Sequence, residues 1–145
     1  MMRAVEGGWI VPRITGVAAF FLVADVVRAA EYYRDKLGFE IVGYFFEDPP
    51  VFAMVGRNDQ IIMLSLMEGG RRGGSNRNYK KDALDAYLWT DDVDGLYAEF
   101  RQNGADIVSA PQLRIYGMKE LEARDLDGYV LCFGQDLPAT KTAQS

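Results

Sequence analysis

Two stretches with the same pattern decide the fold of this 145-residue chain: AAFFLVADVVRAAEYYRDKLGFEI at Ala18–Ile41 and DAYLWTDDVDGLYAEFRQNGADI at Asp85–Ile107. Each begins with a short apolar run typical of a strand, reaches an aspartate, and continues with the spacing of an amphipathic helix. Asp25 and Asp92 stand where a helix N-cap belongs, because a carboxylate there accepts hydrogen bonds from the first free backbone N–H groups. The sequence therefore predicts the same strand–helix unit twice.

The two predicted helices have buried faces and matching ends. Gly38 and Gly104 fit the left-handed position that follows a helix. The apolar positions expected to be buried are Val26, Ala29, Ala30, Tyr33 and Leu37 in the first helix, and Val93, Leu96, Tyr97 and Phe100 in the second.

Three more strands are predicted after each helix, with hairpin turns at Asn58-Asp59 and Asp127-Gly128. The order is therefore β-α-β-β-β, twice, in one domain made of a module at 14–68 and a module at 82–135. Leu64-Ser65-Leu66 and Leu131-Cys132-Phe133 are 67 positions apart, as are Asp25 and Asp92, which indicates a duplication. The Gly- and Arg-rich linker 69–81 is expected to be exposed and mobile, and the tail 136–145 disordered.

Composition excludes several functions. The net charge is −5, and the five Arg and Lys residues of the linker leave the remainder still more acidic, which disfavours nucleic acid and favours solubility or cationic ligands. No apolar run is long enough to cross a bilayer, and a single cysteine suits a reducing cytoplasm. The absence of histidine removes the commonest transition-metal ligand and the usual general base.

Three segments carry a family resemblance: VADVVRAAEYYRDKLGFE, DDVDGLYAEF and YGMKELEARDLDGYVLCFG. With the paired β-α-β-β-β modules, they resemble the vicinal oxygen chelate superfamily of glyoxalases, dioxygenases and bleomycin-resistance proteins. The resemblance implies an α+β fold whose two modules form a curved mixed-sheet cup around one cavity. Within this superfamily, the sequence most resembles the metal-free, bleomycin-resistance-like branch.

The resemblance also implies where a metal would bind: two positions on the first strands, Ala18 and Asp85, and two on the last strands, Ser65 and Cys132. Ala18 has no donor atom and Ser65 is a weak neutral ligand, so only Asp85 and Cys132 remain, and two ligands do not hold a catalytic ion. We therefore expect no metal and no other cofactor. The Asp125–Gly128 run is expected to be a hairpin turn rather than a calcium loop, because it lacks the remaining EF-hand ligands.

Strand alternation predicts the lining of the cavity. The expected ligand-binding residues are Phe20, Leu22, Met63, Ser65, Asp85, Tyr87, Trp89 and Cys132. For Tyr87 and Trp89, ordinary core positions are an equal alternative. Glu120 and Glu122 share one face of their strand, where we expect solvation rather than a buried catalytic carboxylate.

Two functions from different classes follow. The first is a cytoplasmic antibiotic-resistance-like protein with no catalytic residues, which binds a flat, partly cationic small molecule between aromatic side chains. The second is a metal-dependent lyase, isomerase or dioxygenase with an atypical site, and a metal-free enzyme remains open as a third. We expect neither membranes nor nucleic acids as partners. We expect the chain to form a homodimer, because the superfamily often forms its cavities between subunits and a half-cup leaves sheet edges exposed.

Overall fold

The computed structural model describes residues 5–7, 9–70 and 74–138 and has two β-α-β-β-β modules behind a short N-terminal hairpin, β1 and β2 (Val5–Glu6 and Trp9–Ile10). The first module comprises β3 (Ala19–Val23), α1 (Val26–Leu37), β4 (Glu40–Phe45), β5 (Phe52–Arg57) and β6 (Gln60–Leu66). The second comprises β7 (Ala86–Trp89), α2 (Val93–Asn103), β8 (Asp106–Leu113), β9 (Met118–Arg124) and β10 (Val130–Asp136). Between them lie two 3-10 turns, Glu68–Gly70 and Asn76–Asn78. The α+β fold with two repeated modules is confirmed, whereas the β1–β2 hairpin was not predicted.

Each module forms one four-stranded mixed sheet. The strand orders are β3-β6-β5-β4 and β7-β10-β9-β8. The first strand of each module runs parallel to the last, and the other neighbours are antiparallel. Strands β3 and β7 therefore each lie at one end of a sheet.

The predicted helix boundaries are confirmed. The Asp25 carboxylate accepts a hydrogen bond from the Arg28 backbone N–H at 3.0 Å, and Asp92 accepts one from Gly95 at 2.9 Å. Gly38 and Gly104 follow the helices with φ angles of 71° and 76°, the left-handed region that glycine adopts without a steric penalty.

Both helices belong to one shared core between the two sheets. The helices contact each other, and each covers the inner face of its own sheet. Every predicted core residue of α1 is buried, while in α2 Val93 and Phe100 are buried and Leu96 and Tyr97 are half-buried. Phe21 of the first module stacks on Tyr129 of the second with ring centroids 4.3 Å apart.

A buried carboxylate at the β9–β10 turn also joins the modules. The Tyr33 hydroxyl of α1 donates a hydrogen bond to Asp125 at 2.7 Å. The other Asp125 oxygen accepts the backbone N–H groups of Asp127 and Tyr129 at 3.0 and 2.9 Å. This hairpin is therefore a structural turn, as expected, and it also anchors the second module to the first helix.

The linker is less exposed than expected. Ser75 is 6% exposed, and its hydroxyl donates to the Asp85 carboxylate. The Asn76 backbone N–H also donates to Asp85, at 2.7 Å, and Arg77 pairs with Glu122. The prediction of full exposure is therefore wrong at Ser75, because a carboxylate at the start of β7 holds this part of the chain. Asp136, the first residue of the tail expected to be disordered, is the last residue of β10, and residues 139–145 lie outside the described residues.

The strand register corrects one part of the predicted duplication. Ala19 pairs with Ile62 in the first sheet, whereas its counterpart Ala86 pairs with Leu131 in the second. The last strands are therefore offset by 69 positions rather than 67. Cys132 is the counterpart of Met63 rather than of Ser65, so the equal spacing in the sequence does not identify equivalent positions.

In the part of the chain that the structure describes, no helix is long and apolar enough to cross a membrane.

The junction at Asp125 predicts a specific pH dependence of stability. Burial raises the pKa of Asp125 to about 6, against the hydrogen bonds from Tyr33 and the Tyr129 backbone, which lower it. This folded-state pKa lies above the unfolded value of about 4, so protonated Asp125 stabilises the fold. Its contribution to the free energy of unfolding is complete below about pH 4 and is lost as the pH rises through about 6. Across this interval we expect the free energy of unfolding of wild type to fall by up to about 3 kcal/mol relative to that of Asp125→Asn, as measured by urea unfolding.

Asp59→Asn, which neutralises an exposed turn carboxylate and retains Asp125, is the matched control and should lose stability over this interval as wild type does. A difference between wild type and Asp125→Asn that does not change with pH would contradict this account of the junction.

Candidate functional site

The outer face of the second sheet, which points away from the helices, carries two rows of side chains. Residues paired in register on neighbouring strands point to the same side of a sheet. One row is Glu122, Cys132 and Tyr87, and the next is Glu120, Gly134 and Trp89. Three of the predicted site residues, Tyr87, Trp89 and Cys132, therefore share this face.

Gly134 leaves a gap in the second row, and the Tyr87 side chain fills it. A methyl group at Gly134 would overlap the Tyr87 hydroxyl. Because the gap is open, the Tyr87 hydroxyl reaches Glu120 and donates a hydrogen bond of 2.7 Å. The absence of a side chain at one position thus connects the edge strand β7 to a carboxylate two strands away.

Glu120 is the centre of a polar network. Its carboxylate accepts hydrogen bonds from the hydroxyls of Tyr87 and Tyr116, both at 2.7 Å, and from Arg114 Nε at 3.2 Å. Glu120 is 5% exposed and Glu122 9%. The expectation that these glutamates form a solvated face is wrong, because tyrosine hydroxyls and arginines satisfy their oxygens in place of water.

The two tyrosines keep their protons at neutral pH. Burial first, and then the hydrogen bond to Glu120, raise the pKa of Tyr116 to about 12 and raise that of Tyr87 further above its ordinary value. Both hydroxyls therefore act as hydrogen-bond donors rather than as bases.

Cys132 lies beneath this network. It is fully buried, and Arg77 pairs with the adjacent Glu122 at 3.2 Å. Burial, and then the nearby charges of Glu120 and Glu122, raise the pKa of the Cys132 thiol to about 12. The side chain is consequently a neutral thiol, poorly suited to nucleophilic attack.

Asp85 is held by the chain itself. One or other of its oxygens accepts the Ser75 hydroxyl, the Asn76 N–H at 2.7 Å and the Val130 N–H at 2.8 Å. Its role in the structure is to attach the linker and the β10 strand to the start of β7.

The four positions that the resemblance implies for a metal do not fit a divalent ion. Ala18 offers no donor, Asp85 is engaged by three hydrogen bonds, and Cys132 is fully buried. Ser65 lies on the other sheet. Among the described residues, no group of three or more His, Cys, Asp or Glu side chains is arranged to hold a metal.

Trp89 provides an exposed aromatic surface beside the network. It is 75% exposed, and its ring centroid lies 4.9 Å from that of Tyr87. An open cavity of about 1120 Å³ is lined by Trp89 and Tyr87 on one side and by Val17 to Ala19 and Gln60 to Ile62 on the other. The edge strands β3 and β7 thus border one cavity, although they belong to different sheets.

The outer face of the first sheet is apolar. Its rows are Phe20, Met63 and Met54, and then Leu22, Ser65, Phe52 and Phe45. Phe52 contacts the rings of Phe20, Phe45 and Phe46 at centroid distances of 5.7–6.1 Å. Phe20 and Phe46 are mostly exposed.

The eight predicted site residues are thus divided between two faces. Phe20, Leu22, Met63 and Ser65 lie on the first sheet, whereas Asp85, Tyr87, Trp89 and Cys132 belong to the second module, with Cys132 fully covered. Sequence reasoning missed Arg114, Tyr116 and the aromatic cluster around Phe52. Alternation along β5 could have indicated Phe52, but the approach of Arg114 and Tyr116 to Glu120 depends on a turn whose path alternation does not specify.

Comparison with known proteins identifies the class. The family model for the Glyoxalase/Bleomycin resistance protein/Dioxygenase superfamily matches residues 13–133, and the chain belongs to this superfamily. No curated protein sequence matches the chain significantly.

Several solved structures share the fold. TioX from Micromonospora sp. ML1 has a TM-score of 0.67 at 20% identity, covering 85% of this chain and 99% of that one. A superfamily member from Sphaerobacter thermophilus DSM 20745 has a TM-score of 0.67 at 22% identity, covering 86% and 98%. A bleomycin-binding protein complexed with bleomycin has a TM-score of 0.64 at 20% identity, covering 86% and 100%.

The fit of Tyr87 over Gly134 predicts an energetic coupling between them. We expect Gly134→Ala to destabilise the fold by about 1–3 kcal/mol in wild type, because the new methyl group displaces the Tyr87 ring. In a Tyr87→Ala background the same change should cost much less, which a double-mutant cycle with urea unfolding measures.

Gly16→Ala, at a position with open space around it, is the control. Equal costs of Gly134→Ala in both backgrounds would show that Tyr87 does not lie across Gly134.

Proposed function

We propose that this protein binds a flat, partly cationic small molecule against exposed aromatic side chains and does so without a metal. The observation that carries the proposal is the exposure of Trp89, beside the Tyr87 ring, at the margin of an open cavity. Exposed aromatic rings of this kind offer stacking and cation–π contacts of about 0.5–2 kcal/mol each. The acidic net charge of −5 favours a cationic ligand.

The bleomycin-binding relative supports the choice of ligand class. That protein, which shares the fold, is described in complex with bleomycin. A role in sequestering an antibiotic or a similar aromatic metabolite in the cytoplasm is the corresponding proposal here. The donor set at Ala18, Ser65, Asp85 and Cys132 gives no support to the metal-dependent alternative.

We further propose that the protein acts as a homodimer. Strand β3 ends one sheet and β7 the other, and both carry exposed rings, Phe20 and Trp89. Pairing these edges with a second copy would cover them and bring the apolar face of one chain towards the polar face of its partner.

Ligand binding is testable through Trp89 fluorescence. In a Trp9→Phe background, where Trp89 is the sole tryptophan, we expect saturable quenching by bleomycin or by a planar aromatic cation such as proflavine. Trp89→Leu in wild type should weaken binding by about 2- to 30-fold, the equivalent of one cation–π or stacking contact, as measured by calorimetry.

Tyr79→Leu, which removes a highly exposed aromatic ring elsewhere, is the control and should leave the affinity unchanged. Absence of binding across a broad panel of planar compounds at millimolar concentration would contradict the proposed function.

The assembly is testable by mass. Light scattering at micromolar concentration should give a molecular mass of about twice the 16.2 kDa of one chain. The substitution Phe20→Asp should shift this mass towards that of the monomer. Ile115→Asp, at an exposed position on the β8–β9 turn, should remain dimeric. A wild-type monomer would contradict the dimer.

A further inference from the structure

Two of the three groups that hold Glu120 come from one short turn. The turn between β8 and β9 is closed by a hydrogen bond of 3.0 Å from the Gly117 N–H to the Arg114 carbonyl, and Gly117 has a φ of 83°. Arg114 and Tyr116 reach back from this turn to the Glu120 carboxylate, while Ile115 between them is fully exposed. The cover over Glu120 is therefore a single peripheral segment.

Arg114 is the only guanidinium described as bonded to Glu120, and it remains accessible. A buried carboxylate requires a cationic or hydrogen-bonding partner to offset its loss of hydration. The Arg114 side chain is 34% exposed, whereas that of Glu120 is 6% exposed. The ion pair thus has an inner, fixed anion and an outer cation in contact with solvent.

The geometry places this anion within reach of an aromatic surface. Glu120 and Trp89 belong to the same row, with Gly134 between them. Two strand spacings separate them by about 10 Å, and the Tyr87 ring occupies the interval. A planar aromatic group over Tyr87 and Trp89 could therefore extend a cationic substituent to Glu120.

We propose that Glu120 binds the cationic group of the ligand and that the Arg114 guanidinium occupies this position in the free protein. This inference rests on the proposed function and specifies its ligand: a planar aromatic compound with an ammonium, amidinium or guanidinium substituent. Binding displaces Arg114 from Glu120 while Tyr87 and Tyr116 continue to donate to the carboxylate.

The neighbouring charges are compatible with this exchange. Glu122 is paired with Arg77, and Cys132 is a neutral thiol. Once Arg114 leaves, Glu120 carries an uncompensated negative charge on this face, and the ligand cation replaces the charge that was lost.

The test uses opposite expectations for the two members of the ion pair. The probes are proflavine, a planar cation, and anthracene-9-methanol, a neutral planar compound. Arg114→Met removes the competing cation and should tighten proflavine binding by about 3- to 30-fold. Glu120→Gln, which keeps an oxygen acceptor for only one of the two tyrosines and removes the negative charge, should weaken it by about 10-fold or more.

Lys119→Met is the matched control, because it removes one positive charge from the adjacent position, where Lys119 pairs with Asp94. It should change proflavine binding less than 2-fold, within the effect of a surface charge. Binding of the neutral compound should be similar in all four proteins, and thermal unfolding should show that each variant is folded.

The outcomes separate this inference from the proposed function. If proflavine binds but Arg114→Met weakens binding or matches Lys119→Met, the displacement of Arg114 is refuted and the proposed function survives. Weakened binding would indicate instead that the Arg114 side chain itself contacts the bound ligand. If neither probe binds any of the proteins, the proposed function fails as well.

Discussion

A single shared core is the constraint on which the rest of the structure depends. Both helices pack between the two sheets, and the buried contacts of Phe21 with Tyr129 and of Tyr33 with Asp125 fix one module against the other. Each sheet therefore has only one face available to the core, and its other face must point outward. The outward faces and the edges of these sheets are therefore surfaces that the core leaves available.

The two outward faces differ in chemistry although the modules share one topology. The first carries phenylalanine and methionine side chains around Phe52, and the second a network of glutamates, arginines and tyrosines above Cys132. The difference depends on small features, above all the missing side chain at Gly134. A ligand with both an aromatic and a charged part would match such a pair of surfaces better than a uniformly apolar one.

Local signals in the sequence were sufficient for the fold but not for the site. Caps at Asp25 and Asp92 and the turn at Asp127-Gly128 depend on neighbouring residues, so they could be predicted. The two-residue difference in register between the sheets could not, because it depends on how distant strands pair. The burial of Glu120 was missed for the same reason: its partners Arg114 and Tyr116 approach through a turn, and Tyr87 from another strand.

The central claim is that a planar cation lies over Tyr87 and Trp89 with its charged group at Glu120. A crystal structure of the protein with bound proflavine tests this most directly. The account predicts ring density against Trp89, an amino group within hydrogen-bonding distance of Glu120, and Arg114 turned towards solvent. Density for the ligand elsewhere, with the Arg114–Glu120 ion pair intact, would contradict it.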